Sequence, residues 1–139
     1  MLVIAFIPAI GEEIVFRGLI QNEMYRATRN PHTAIWLTAI IFSAIHLQFL
    51  GFVPRVLIGA FLGYIYYWSG NLLIPIMAHF LNNGLQLLGI YLYQNGVLQY
   101  NVDETTSAPW PWVVFSLLAL GSVLYYLRNY FTSRPTAIS

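Results

Sequence analysis

The sequence predicts an all-α protein: a polytopic membrane helix bundle of about five transmembrane helices. Three observations predict it. Of the 139 residues, 58% are hydrophobic. Only 8% are charged, whereas soluble domains run at about a quarter. Between polar and Gly/Pro punctuation, the chain divides into five apolar stretches approaching the roughly 20 residues of helix needed to span hydrocarbon.

The first helix is expected at 2–25. Its apolar opening is unlike a signal peptide, because no basic residue precedes it and it runs into Gly11-Glu12-Glu13 where a small-residue cleavage site would stand. So abrupt an opening in hydrophobic sequence is compatible with a fragment of a longer protein that has helices upstream. Arg26, Arg29, Asn30 and Pro31 form a linker, and the Asn-Pro step starts a second helix, placed at 33–50. Gly51 to Pro54 separates it from a third at 53–69. Ser69-Gly70-Asn71 is a tight turn into a fourth at 72–94. There Pro75 suits a first turn, so a helix start near Ile74 after a short extended entry is expected. Residues 1–94 thus form the expected helical core. The stretch 95–109, with Asp103 and Glu104, reads as a solvated loop. A fifth helix follows at 110–128, and 129–139 is a tail.

Arg26 and Arg29 follow the first helix, and Arg128 and Arg134 follow the fifth. Five antiparallel passes put both pairs on one side, which the positive-inside rule makes cytoplasmic; Arg55 is the exception. Trp68, Trp110 and Trp112 suit interfacial belts. All six basic residues are Arg and the net charge is +1, which gives no basic field for nucleic acid. The partners expected are membrane lipid and an apolar peptide or protein. The absence of cysteine excludes disulfides, thiolate metal sites and Cys nucleophiles, so any metal would need His and carboxylate ligands.

An ionisable side chain at mid-bilayer costs about 2.5–3.5 kcal/mol on insertion scales, so the few inside these helices point to function. Glu13 and Arg17 have the i, i+4 spacing of an ion pair, acidic residue first. Taken alone, that pair reads equally as a salt bridge fixing helix packing. Glu12 points about 100° away and needs another partner. His46 lies one turn after Phe42 on the same face. His79 and Asn83 share a face of the fourth helix, and as an isolated pair could serve as interhelical hydrogen-bonding glue. Depth argues for a shared site: at 1.5 Å per residue Glu12 lies about 21 Å from Arg26, His46 about 20 Å from Thr33, and Asn83 and His79 about 18 and 12 Å from Asn71.

A buried carboxylate with an imidazole can take a proton from water. A second imidazole with an amide can donate to a developing oxyanion. Together these make a hydrolase without a Ser or Cys nucleophile. Glu12, His46 and His79 could instead ligate Zn²⁺ with an open position for water, although the sequence has no HExxH pair.

Gly11-Glu12-Glu13-Ile14-Val15-Phe16-Arg17-Gly18 has the form EExxxR, Phe42 to His46 the form FxxxH, and His79 to Asn83 the form HxxxN. In this order, over about residues 8–90, they resemble the CAAX-protease and bacteriocin-processing (CPBP, or Abi) family of intramembrane proteases. The resemblance implies peptide-bond hydrolysis within the membrane. By motif position Glu12 activates water with His46, His79 and Asn83 stabilise the oxyanion, and Glu13 and Arg17 orient Glu12. Members have been described both as metalloproteases and as glutamate-dependent enzymes; with no compact metal motif here, a reaction without a cofactor is favoured. Relatives usually have several helices before the first motif, and this chain has none. The resemblance further implies a multi-pass protein of the bacterial inner membrane that processes a small or lipid-modified peptide. The competing expectations are a non-catalytic immunity or adaptor protein that binds a bacteriocin or partner, and a proton-relaying transporter subunit.

Overall fold

The computed structural model describes residues 2–49, 51–97 and 110–133. All regular structure among them is helical. The first helical run comprises α1 (Leu2–Glu13), a π-helical segment (Ile14–Ile20) and α2 (Gln21–Thr28). The residues at both junctions, Glu13 and Gln21, keep right-handed helical dihedrals, so the three pieces are continuous. Then come α3 (Pro31–Ile45), α4 (Phe52–Ser69), α5 (Leu73–Gln94) and α6 (Trp110–Thr132). The chain forms two compact units, residues 1–83 and 84–139.

Local chemistry explains the breaks. Arg29 adopts a left-handed conformation (φ 55°) and its N–H donates to Tyr25 O, ending α2. Asn30 then caps α3: its Oδ1 accepts from the N–H groups of His32 (2.9 Å) and Thr33 (3.2 Å), with Pro31 in the first turn. Gly70, at φ 62°, closes α4. Asn71 Oδ1 accepts from Leu73 N–H, so α5 starts directly from the turn and Pro75 occupies its third position.

Several boundaries differ from the sequence reading. There is no extended entry to α5. The second helix ends at Ile45, not at 50, because Leu47 takes a left-handed turn (φ 54°) and Ser43 Oγ ties the loop to Phe52 O. His46 therefore sits at a helix end. α6 continues to Thr132, into the stretch read as a tail. Most of the solvated loop, 98–109, and the end of the tail, 134–139, lie outside the described residues.

In the first unit, α3 and α4 pack through Ile35, Ala39, Val56 and Ala60, flanked by Phe52 and Tyr64. Beside apolar residues such as Ile35, Phe42, Leu62 and Ile65, the buried set holds small residues, Ala5, Ala9, Ala34, Ala39 and Ala60, and the polar Glu13, Arg17, Gln21, Thr38, Ser43 and His79. Large apolar side chains such as Val3, Ile7, Leu19 and Leu81 point outward. Large apolar side chains exposed in number, with ionisable ones buried, depart from the usual partition of a water-soluble domain. Against the about five membrane-spanning helices expected from the sequence, one among the described residues is long and apolar enough to cross a membrane: Leu73–Gln94, 22 residues without Asp, Glu, Lys or Arg.

Candidate functional site

The site is built around Glu13, which the first helical run presents at the junction between α1 and the π segment. Across that segment the backbone is wound more widely, and at its far end Gln21 N–H bonds to Phe16 O, five residues back. Such wide turns are rare and occur often at functional sites.

Glu13 is fully buried, with 0% exposure, and Arg17 is 1% exposed. The i, i+4 pair expected from the sequence is formed, with Arg17 Nη1 donating to Glu13 Oε1 at 2.7 Å. It is a single-point contact and not a guanidinium fork, for Glu13 Oε2 and Arg17 Nε are buried without a partner. Arg17 Nη2 donates instead to the backbone carbonyl of Gly59 on α4, at 2.7 Å.

The same Glu13 Oε1 lies 2.7 Å from His79 Nδ1. An ionised carboxylate only accepts, so Nδ1 carries the proton and Nε2 faces the other way. Glu12 Oε2 stands on that side, 3.6 Å from Nε2. One imidazole thus lies between two consecutive glutamates. With protons on both nitrogens the ring would point a donor at each carboxylate. The adjacent glutamates are not equivalent: Glu12 keeps 30% of its side chain exposed and Glu13 none.

Phe42 forms the other wall. Its ring meets Phe16 edge-on (centroids 4.9 Å), His46 (5.0 Å) and His79 (6.0 Å), and lies 5.3 Å from Arg17 Cζ. Both histidines are thereby gathered on one aromatic ring. His46 Nδ1 donates to Phe42 O at 2.8 Å. A carbonyl can only accept, so the proton sits on Nδ1 and Nε2 keeps a lone pair for a water proton. His46 is exposed and His79 buried.

Of the residues singled out from the sequence, Glu12, Glu13, Arg17, Phe42, His46 and His79 are joined through these contacts. Glu13 bonds to Arg17 and His79, so its orienting effect falls on the imidazole. Asn83 is half-buried, and its Oδ1 accepts from Asn82 Nδ2 at 3.5 Å, a contact that binds it to neither histidine. Among the described residues no group of three or more His, Cys, Asp or Glu side chains is arranged to hold a metal ion; Glu12, His46 and His79 do not form one. The sequence reading did not reach Gly59, Phe16 or Gln21. Backbone acceptors such as Gly59 O leave no mark in side-chain spacing, but the small-residue pattern of Gly59, Ala60 and Gly63 was a usable sign of close helix approach.

Residues 1–85 match the model of the type II CAAX prenyl endopeptidase Rce1-like family. The chain belongs to this family. Within the Rce1-like family, a similar protein is the "uncharacterized protein YpbD" of Bacillus subtilis (strain 168), 35% identical over 77 residues that cover 52% of this chain. The chain spans 36% of that protein's length. No solved structure matches it. All three motifs fall within the Rce1-like match, so the cluster of Glu12, Glu13, Arg17, Phe42, His46 and His79 is the portion of the fold that the family match covers.

Replacing Phe42 by Leu keeps most of the volume but removes the ring edges and faces. Phe42→Leu is expected to cost about 1–2 kcal/mol of stability. Urea or SDS titration followed by circular dichroism would read it, and unchanged stability would show that the ring contacts carry no net energy.

Proposed function

We propose that this chain is the catalytic core of a multi-pass intramembrane endopeptidase of the bacterial cell membrane, hydrolysing a peptide bond in a small or lipid-modified peptide. The carrying observation is the Glu13–His79–Glu12 chain. Two carboxylates and an imidazole are gathered inside helices whose outward faces are large and apolar. Buried ionisable groups in an apolar bundle are costly and are kept where they serve function. Membership of the Rce1-like family supports the same reading.

In this mechanism a water molecule lies between Glu12 and His46. The half-exposed Glu12 carboxylate accepts its proton, and His46 Nε2, left as an acceptor by the Nδ1–Phe42 O bond, orients it. The water oxygen bonds to the peptide carbonyl carbon while His79, with protons on both ring nitrogens, donates from Nε2 and the Asn83 amide donates beside it to the oxygen that gains charge. The contact with Asn82 engages Asn83 through Oδ1, and in this mechanism its Nδ2 is the donor. Collapse of the tetrahedral species breaks the C–N bond. Glu12 returns the proton to the leaving nitrogen, giving a carboxylic acid and an amine. No metal takes part, and membrane lipid and the substrate peptide are the partners.

The test is cleavage of a peptide library, with and without prenylation, by the full chain in detergent beside Glu12→Ala, His46→Ala, His79→Ala and Asn83→Ala. Wild-type cleavage lost in the four variants is the expected result. Equal cleavage in all five would sink the assigned site, and absence of cleavage with specific capture of a bacteriocin would favour an immunity role. Activity is expected to survive a strong chelator; loss that Zn²⁺ restores would return Glu12, His46 and His79 to the role of metal ligands.

A further inference from the structure

Arg17 and Gln21 stand four residues apart on the first helical run, and each sends a donor to α4. Arg17 Nη2 reaches Gly59 O at 2.7 Å, and Gln21 Nε2 reaches Gly63 O at 3.1 Å. The acceptors are again four apart, so the two bonds form parallel rungs between the helices. Both acceptors are glycines for a steric reason. A Cβ at Gly63 would stand 2.9 Å from Gln21 Oε1 and 2.9 Å from Ile35 Cγ2. At Gly59 it would stand 3.2 Å from Ala39 Cα and 3.4 Å from Phe42 Cδ1.

One rung falls inside the π segment, at Arg17, and the other at its C-terminal end, at Gln21. The π segment ends where Gln21 N–H bonds to Phe16 O, so Gln21 closes the wide turn with its backbone and ties it to α4 with its side chain. A single rung at Arg17 would be a pivot about which the segment could rock. A second rung about 6 Å further along the axis turns the pivot into a fixed line. Glu13 lies at the other end of that segment, and its direction decides whether Oε1 meets His79 Nδ1. The Gln21–Gly63 rung itself touches none of Glu12, Glu13, His46 or His79.

We propose that Gln21, with Gly63, is a positioning residue for the Glu13–His79 pair. It holds the π-turned segment at the rotation that aims Glu13 at the imidazole. This rests on the hydrolase reading for its effect on rate, but its structural effect does not need that reading.

The experiment uses the full chain in detergent, with Gln21→Met, which removes the amide at similar length, and Gly63→Ala, which disturbs the same rung from the other side. Three quantities are read: kcat and KM on a cleaved peptide, the thermal midpoint, and the His79 Nδ1–H resonance in ¹⁵N-histidine-labelled protein. Both variants are expected to lower kcat about tenfold with little change in KM, since misplacement of a reacting group by about 1 Å can cost as much as 10²-fold. The His79 resonance should shift or broaden in both. Wild-type kcat with an unmoved resonance would overturn the proposal. So would a fall in thermal midpoint with the resonance of the folded fraction unmoved, which marks a purely structural role. If the wild type cleaves no peptide, the hydrolase reading fails, and the His79 resonance still decides whether the rung positions the pair.

Discussion

Glu13→Ala should destabilise this protein more than any other single change at the site. The substitution leaves the Arg17 guanidinium, 1% exposed, with Gly59 O as its remaining hydrogen-bond acceptor and the Phe42 ring beside it. It also removes the acceptor from His79 Nδ1. Removing one member of a buried ion pair typically costs about 3–5 kcal/mol, because the surviving charge stays buried without compensation. The measurement is the unfolding midpoint of Glu13→Ala against wild type in one detergent. A midpoint equal to wild type would show that water or rearranged dipoles compensate Arg17.

The paired variant Glu13→Leu/Arg17→Met sharpens this prediction. Replacing both charges with apolar groups of similar volume is often neutral or stabilising, so much of the lost stability should return. Activity should not. His79 Nδ1 would still lack its acceptor, and nothing would fix which nitrogen faces Glu12. Recovery of stability without recovery of cleavage separates the energetic role of the pair from its orienting role; recovery of both would remove Glu13 from the site.

How much of this was legible in the sequence depends on the distance over which each feature is determined. The turns at Asn30-Pro31 and Gly70-Asn71 located the starts of α3 and α5 to within two residues, at 33 and near Ile74 against Pro31 and Leu73, because their effects are local. The Glu13–Arg17 pair followed from i, i+4 spacing for the same reason. The end of α3 was misplaced because the residue that turns the chain there is Leu47, an apolar side chain carrying no turn signal. The π segment was also hidden. Ile14–Ile20 has the composition of any apolar helix, and its widening accompanies ties that Arg17 and Gln21 make to carbonyls 42 residues away. The Glu13–His79 contact spans 66 positions. Periodicity could not find it; helix depth and the order of the three motifs were what suggested that these helices share a site.

Glu12→Gln should produce the largest loss of activity at the smallest cost in stability, the opposite of its neighbour. The Glu12 side chain is 30% exposed, and His79 Nε2 is 3.6 Å from its Oε2, beyond a direct hydrogen bond. An amide of the same shape can therefore replace the carboxylate with little rearrangement, and the unfolding midpoint should stay near wild type. An amide cannot accept a proton from water at neutral pH, so loss of the general base should slow cleavage by about 10²–10⁴-fold. The informative quantity is the contrast between Glu12→Gln and Glu13→Ala, one substitution sparing the fold and the other the general base. If the Glu12→Gln protein cleaves at the wild-type rate, the base lies elsewhere, and His46 Nε2, already free as an acceptor, becomes the group to test. If it unfolds like Glu13→Ala, the two carboxylates share one structural load through His79, and the division of roles between adjacent glutamates fails. The proposed chemistry requires that division: a buried carboxylate fixes the imidazole, and a solvent-accessible one exchanges a proton with the substrate water.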